Sequence, residues 1–185
     1  MMCKKSAFII LLLVYANLSK AQTGNSDSIC WSRNYKLKWS DFQGKQPASD
    51  SGRFKAGCSA SIRAKGFMDK DLPNFRITNC FMKKVSWTTD TVSLKLLEHE
   101  QLHFDIADLY ARKMRKAIES LRKKKLKTYN SYTPTIQKLL EEREAADDEY
   151  DKECVHGTFY DQQKEWMVKV TKELDELKKY ASDRQ

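Results

Sequence analysis

"LLEHEQLHFDIADLY", residues 96–110, decides how this chain is read. Leu94, Leu97, Ile106, Leu109, Met114 and Leu121 recur around it at helical spacing, which predicts a helix from about Ser93 to about Lys125. The chain has three histidines, and two of them, His99 and His103, lie in this helix.

On an ideal helix, with about 100° per residue, His99 and His103 stand about 40° apart, one turn above the other. Glu100 lies about 100° from His99 and about 60° from His103, so it flanks the pair. This is the H-E-x-x-H pattern of zinc-dependent peptidases, in which two imidazoles hold the metal and the glutamate serves as base. Two histidines on an apolar face would otherwise need two separate hydrogen-bond partners, and one metal ion satisfies both.

A catalytic zinc takes three protein ligands and keeps one position for water. Asp105 and Asp108 point about 140° and 160° from the midpoint of the histidine pair. They share a polar side with Arg112 and Lys116, which suits a solvated face or, for Asp105, a helix-packing role. The remaining histidine, His156, sits in "YDKECVHG" (150–157) and is the favoured third ligand. A carboxylate from "EEREAADDEYD" (141–151) is the alternative, with Glu144 and Asp148 four residues apart. Tyr150, Asp151 and Tyr160 flank this position. Tyr150 is a candidate catalytic residue, because a tyrosine hydroxyl beside the metal can donate to a developing oxyanion.

The rest of the chain gives the architecture. Residues 30–87 read as strands and turns, with "RFKAGCSASIRAKGF" (53–67) and "FRITNCFMKKVSW" (75–87) as strands and "DKDLPN" (69–74) as a turn. Thr133-Pro134 opens a second helix, with Thr133 as its cap, running to about Cys154, and Gly157 stops it. Thr158 and Asp161 resemble an entry motif for a third helix reaching about Tyr180. The expected fold class is α+β: a small N-terminal antiparallel sheet, then three helices, with a zincin-like long active-site helix.

The N-terminus has the layout of a secretory signal peptide: Lys4 and Lys5, the apolar run "SAFIILLLVYANL", and a small-residue cleavage site after Ala21. Residues 1–21 are therefore expected to be removed, leaving 22–185 as one domain in a secreted or periplasmic protein. In that compartment Cys30, Cys58, Cys80 and Cys154 are expected to form one or two disulfides. The net charge of +9 selects no partner by itself. The basic stretch "RKMRKAIESLRKKKLK" (112–127) suits the solvated end of a long helix or a peripheral contact with the cell envelope. It lacks interleaved aromatics, and no nucleic-acid partner is expected.

The segments "LKWSDFQGK" (37–45), "VSWTTD" (85–90), H-E-x-x-H-x-D (99–105) and Y-D-x(4)-H-G (150–157) together resemble a bacterial family. Its members are predicted secreted zinc-dependent proteases catalogued as a domain of unknown function. The resemblance runs from about Leu37 to about Trp166. It implies that His99, Glu100, His103, Asp105, Tyr150, Asp151, His156 and Gly157 act together, with His156 as the downstream partner. Cys154 departs from it, standing where the family pattern has threonine; if it were disulfide-bonded it would pin this segment.

The resulting expectation is a secreted zinc metallopeptidase. Zn²⁺ sits on His99, His103 and His156, Glu100 acts as general base on a zinc-activated water, and the substrate is a protein or peptide. The alternative is a non-catalytic cell-envelope interaction protein with a structural zinc site.

Overall fold

The computed structural model describes residues 27–182. The expected signal peptide lies outside the described residues. Five strands precede three helices: β1 (Ser28–Cys30), β2 (Ala56–Gly57), β3 (Ala60–Asp69), β4 (Leu72–Met82), β5 (Trp87–Thr88), α1 (Leu94–Lys123), α2 (Thr133–Cys154) and α3 (Tyr160–Glu176). This is the expected α+β class. All pairings are antiparallel, in the order β1-β4-β3, with β2 and β5 as a separate pair.

The turn expected over 69–74 is shorter than its composition suggests. Lys70 and Asp71, at φ 49° and 60°, make a two-residue hairpin turn of the kind that matches strand twist. Pro73 lies within β4 opposite Met68. A proline is tolerated there because β1 covers only Cys80–Met82 of β4. The disulfide joins Cys30 to Cys80, which face each other across β1 and β4. Cys58 and Cys154 are free, so no disulfide pins the Cys154 segment.

Helix α1 begins where expected, because Ser93 caps it by accepting a hydrogen bond from the Leu96 N–H at 3.2 Å. Helix α2 opens at Thr133-Pro134 as expected, but the caps of the other two helices differ from expectation. Thr133 does not cap α2: a 3-10 turn at Tyr129–Ser131 leads straight in, and the Thr133 hydroxyl donates back to the Tyr129 carbonyl. Helix α3 starts at Tyr160 with no side-chain cap, and Asp161 pairs with Lys164 instead.

Apolar burial is organised around α1. Leu102, Ile106 and Leu109 meet Trp166 and Val170 of α3. Met114 and Ile118 meet Ile77 of β4 and Ile136 of α2, and Phe104 meets Phe81 and Leu37. Trp87 and Trp166 are buried, and Trp31 and Trp39 are half-buried.

The side of α1 read as solvated is not uniformly so. Asp108 and Arg112 are 1% and 4% exposed and form an ion pair of 2.8 Å, and Arg112 also donates to the Leu174 carbonyl of α3. The helical wheel fixes their direction, but α3 packs over that direction. Asp105 has the packing role expected: it accepts from the Trp31 indole at 2.6 Å and from Gln101 at 2.9 Å, tying α1 to the N-terminal segment.

Much of the positive charge in 112–127 is likewise committed. Arg115 donates to the carbonyls of Ile77 and Tyr180, and Arg122 to those of Leu72 and Pro73. These arginines join α1 to the sheet and to the C-terminal turn. No helix among the described residues is long and apolar enough to cross a membrane.

Candidate metal centre

Helices α1 and α2 face each other with matched spacings. His99 and His103 are four apart on α1, and Arg143, Asp147 and Asp151 follow at intervals of four on α2. Side chains four apart share a helix face. The two rows meet: His99 Nε2 lies 3.0 Å from Asp151 Oδ1, and His103 Nε2 lies 3.1 Å from the same oxygen. The two Nε2 atoms are 3.3 Å apart.

These three atoms make a nearly equilateral triangle. Ligands at about 2.0–2.1 Å from a tetrahedral ion would be separated by about 3.3–3.4 Å, so the triangle has the size of one face of such a site. His99, His103 and Asp151 therefore form a group that could hold a metal ion. Two imidazoles and a carboxylate are a donor set suited to zinc and to other first-row divalent ions.

The surroundings orient each donor. His103 Nδ1 lies 2.9 Å from Asp147 Oδ1. The Tyr150 ring stacks on His99 at 4.6 Å and meets His103 edge-on at 5.0 Å. Burial lowers the pKa of His99, against the opposing hydrogen bond to Asp151, and so favours the neutral ring that a metal needs. Burial also lowers that of His103, but hydrogen bonds to Asp147 and Asp151 outweigh it and carry the value to about 10. Burial alone would raise the Asp151 carboxyl; hydrogen bonds from His103 and His99 hold it well below the usual carboxylate range.

Glu100 is 3% exposed and accepts a hydrogen bond from the Cys58 backbone N–H. Burial pushes its carboxyl up to about 7, against the pull of His103. Both residues line a cleft of about 610 Å³ together with the metal group. Phe54, Trp87, Leu96 and Val155 add apolar surface to its walls. A larger groove of about 730 Å³ between the three helices has no histidine in its lining and offers no comparable chemistry.

The structure thus brings together His99, Glu100 and His103 as the sequence suggests, and completes the donor triangle with Asp151. His156 stands next to that triangle. Its Nδ1 is 3.4 Å from Asp151 Oδ1, its side chain is 50% exposed, and its ring meets Phe54 at 4.6 Å. The reason is local: Val155, His156 and Gly157 all have positive φ, 45°, 50° and 81°, and this left-handed turn carries the chain away from α2 just beyond Asp151.

Glu144 and Asp148, the alternative carboxylates, are exposed on α2 and take no part in the group. Tyr150 is placed otherwise than expected. It is fully buried, and its hydroxyl donates to the His99 carbonyl at 3.4 Å rather than into the cleft. It supports the imidazoles from beneath. Tyr160 is engaged with Glu98 at 2.8 Å. Asp151 lies in the 141–151 segment weighed for a carboxylate and among the residues that the family resemblance groups with the histidines, but neither it nor Asp147 is singled out there as a partner of the imidazoles; the signal is that their spacing repeats that of the histidines they meet.

Fold and site together define an α+β protein whose long H-E-x-x-H helix and returning carboxylate build a candidate metal centre. Residues 21–157 match a family described as bacterial protein of unknown function (DUF922), and the chain belongs to that family. No curated protein and no solved structure matches it.

Proposed function

We propose that this protein is a zinc-dependent peptidase of the bacterial cell exterior, cleaving a peptide bond in a protein or cell-envelope peptide. The observation that carries the reading is the donor triangle of His99, His103 and Asp151 with the buried Glu100 carboxylate beside it in an open cleft. The Cys30–Cys80 disulfide supports an oxidising compartment.

His99 and His103 would bind the ion through Nε2, and Asp151 through Oδ1. When bound, zinc supplies Lewis-acid polarisation of water and of a carbonyl oxygen. Glu100 takes the proton from the attacking water and passes it to the leaving amine, work for which its position beside the histidines fits it. The Cys58 N–H holds that carboxylate in place. The apolar walls at Phe54, Trp87 and Leu96 favour peptide side chains over small polar substrates.

A structural zinc site is closed by four protein ligands, whereas a catalytic one leaves a position open. Three clustered donors opening on a cleft favour catalysis over the structural alternative. The test measures zinc content and hydrolysis of a broad peptide library for the wild type and Glu100→Gln. The proposal expects stoichiometric zinc in both, and hydrolysis in the wild type alone. A wild type that binds zinc and cleaves nothing would support the structural reading instead.

A further inference from the structure

We infer that Arg143 and Asp147 form a positioning pair that fixes His103 as a ligand through Nε2; this rests on the metal reading proposed above. An imidazole that ligates has given up one of its two N–H protons, and whichever nitrogen keeps the other cannot bind the ion. Asp147 Oδ1, 2.9 Å from His103 Nδ1, takes a hydrogen bond from that nitrogen and leaves the Nε2 lone pair for the ion. His103 Nε2 is the atom that faces His99 Nε2 and Asp151 Oδ1.

Asp147 also faces a cation. Its Oδ2 lies 2.7 Å from Arg143 Nε, one turn earlier on α2, an ion-pair contact without hydrogen-bond geometry, and the two side chains are 14% and 21% exposed. An exposed pair at this spacing would be an ordinary helix ion pair. Here the pair is largely withdrawn from water and directed at a ligand ring, and both residues line the cleft.

The other histidine is oriented differently. His99 Nδ1 is buried and has no hydrogen-bond partner among the described residues. The stacked Tyr150 ring and the close approach of Gly157 hold that imidazole by packing. A carboxylate thus tunes one histidine and not the other, so loss of Asp147 acts on the metal through His103 alone.

The experiment measures zinc affinity by chelator competition, and the visible spectrum of the Co²⁺-loaded protein, for wild type, Asp147→Asn, Asp147→Ala and Arg143→Gln. Thermal unfolding of each metal-free protein is recorded alongside. The pair predicts an affinity loss on the order of 10–100-fold for both Asp147 variants, with an altered Co²⁺ spectrum. Arg143→Gln shifts both in the same direction by less.

A purely structural pair would lower the metal-free unfolding temperature and leave zinc affinity and spectrum unchanged, and that result overturns the inference. Should Asp147→Ala not fold, Asp147→Asn and Arg143→Gln decide the matter. A wild type that takes up neither ion overturns the metal reading, and this inference falls with it.

Discussion

Gly157 lies against the ring of His99: a methyl group at Gly157 would stand 3.2 Å from Cγ and 3.3 Å from Cβ. Gly157 also has φ +81°, a conformation that side chains disfavour. Gly157→Ala therefore strains the backbone and pushes on an imidazole of the donor triangle. Gly52 is a control, since at φ +76° it has nothing within 4 Å of its added Cβ. The expected cost is about 1–2 kcal/mol for Gly52→Ala and more for Gly157→Ala. Only Gly157→Ala should also weaken zinc binding. Chemical unfolding and zinc titration of both variants check this.

Asp108 and Arg112 test the buried side of α1. Replacing Asp108 by Ala leaves the Arg112 guanidinium charged and enclosed, with the Leu174 carbonyl and the Trp31 face as its remaining partners among the described residues. The expected destabilisation is about 3–5 kcal/mol in urea unfolding. Zinc affinity of the folded variant should not change, because neither residue touches the donor group.

Glu119 gives a pH signature away from the cleft. Hydrogen bonds from Lys123 and Lys179 lower its carboxyl from 4.5 to about 2. A group whose value is depressed on folding contributes stability above its unfolded value. That contribution is lost as pH falls from 4.5 through about 2. The pair is exposed, so the effect fades with salt. An NMR titration of Glu119 should show the low midpoint, and Lys179→Ala should move it toward 4.5. A midpoint at the ordinary value in the unaltered protein would contradict this.

The helices were legible because their apolar spacing is long and regular, and H-E-x-x-H marked two candidate donors and a neighbouring carboxylate on one of them. Thr133-Pro134 does open α2, with the proline in its first turn, but neither Thr133 nor Thr158 caps its helix, because capping depends on the turn before the helix, and a 3-10 turn precedes α2. Strands β2 and β5 are two residues each, too short to leave a pattern. Asp108 was misread because a wheel gives direction but not what packs there.

The downstream donor shows the same limit. His156 looked suited by chemistry, but its placement depends on Val155 adopting φ 45°, a conformation that a β-branched residue rarely takes and that no periodicity announces. The four-residue rhythm of Arg143, Asp147 and Asp151 was readable, yet in a charge-rich helix such spacing arises readily, and Glu144 and Asp148 show it too.

The most direct test of the account is anomalous diffraction from crystals of the zinc-loaded protein, recorded on both sides of the zinc edge. The account predicts one ion within about 2.0–2.2 Å of His99 Nε2, His103 Nε2 and an Asp151 carboxylate oxygen. An ion bound by His99, His103 and His156 with Asp151 outside its reach would contradict it, as would full zinc loading with no ion at the two α1 histidines.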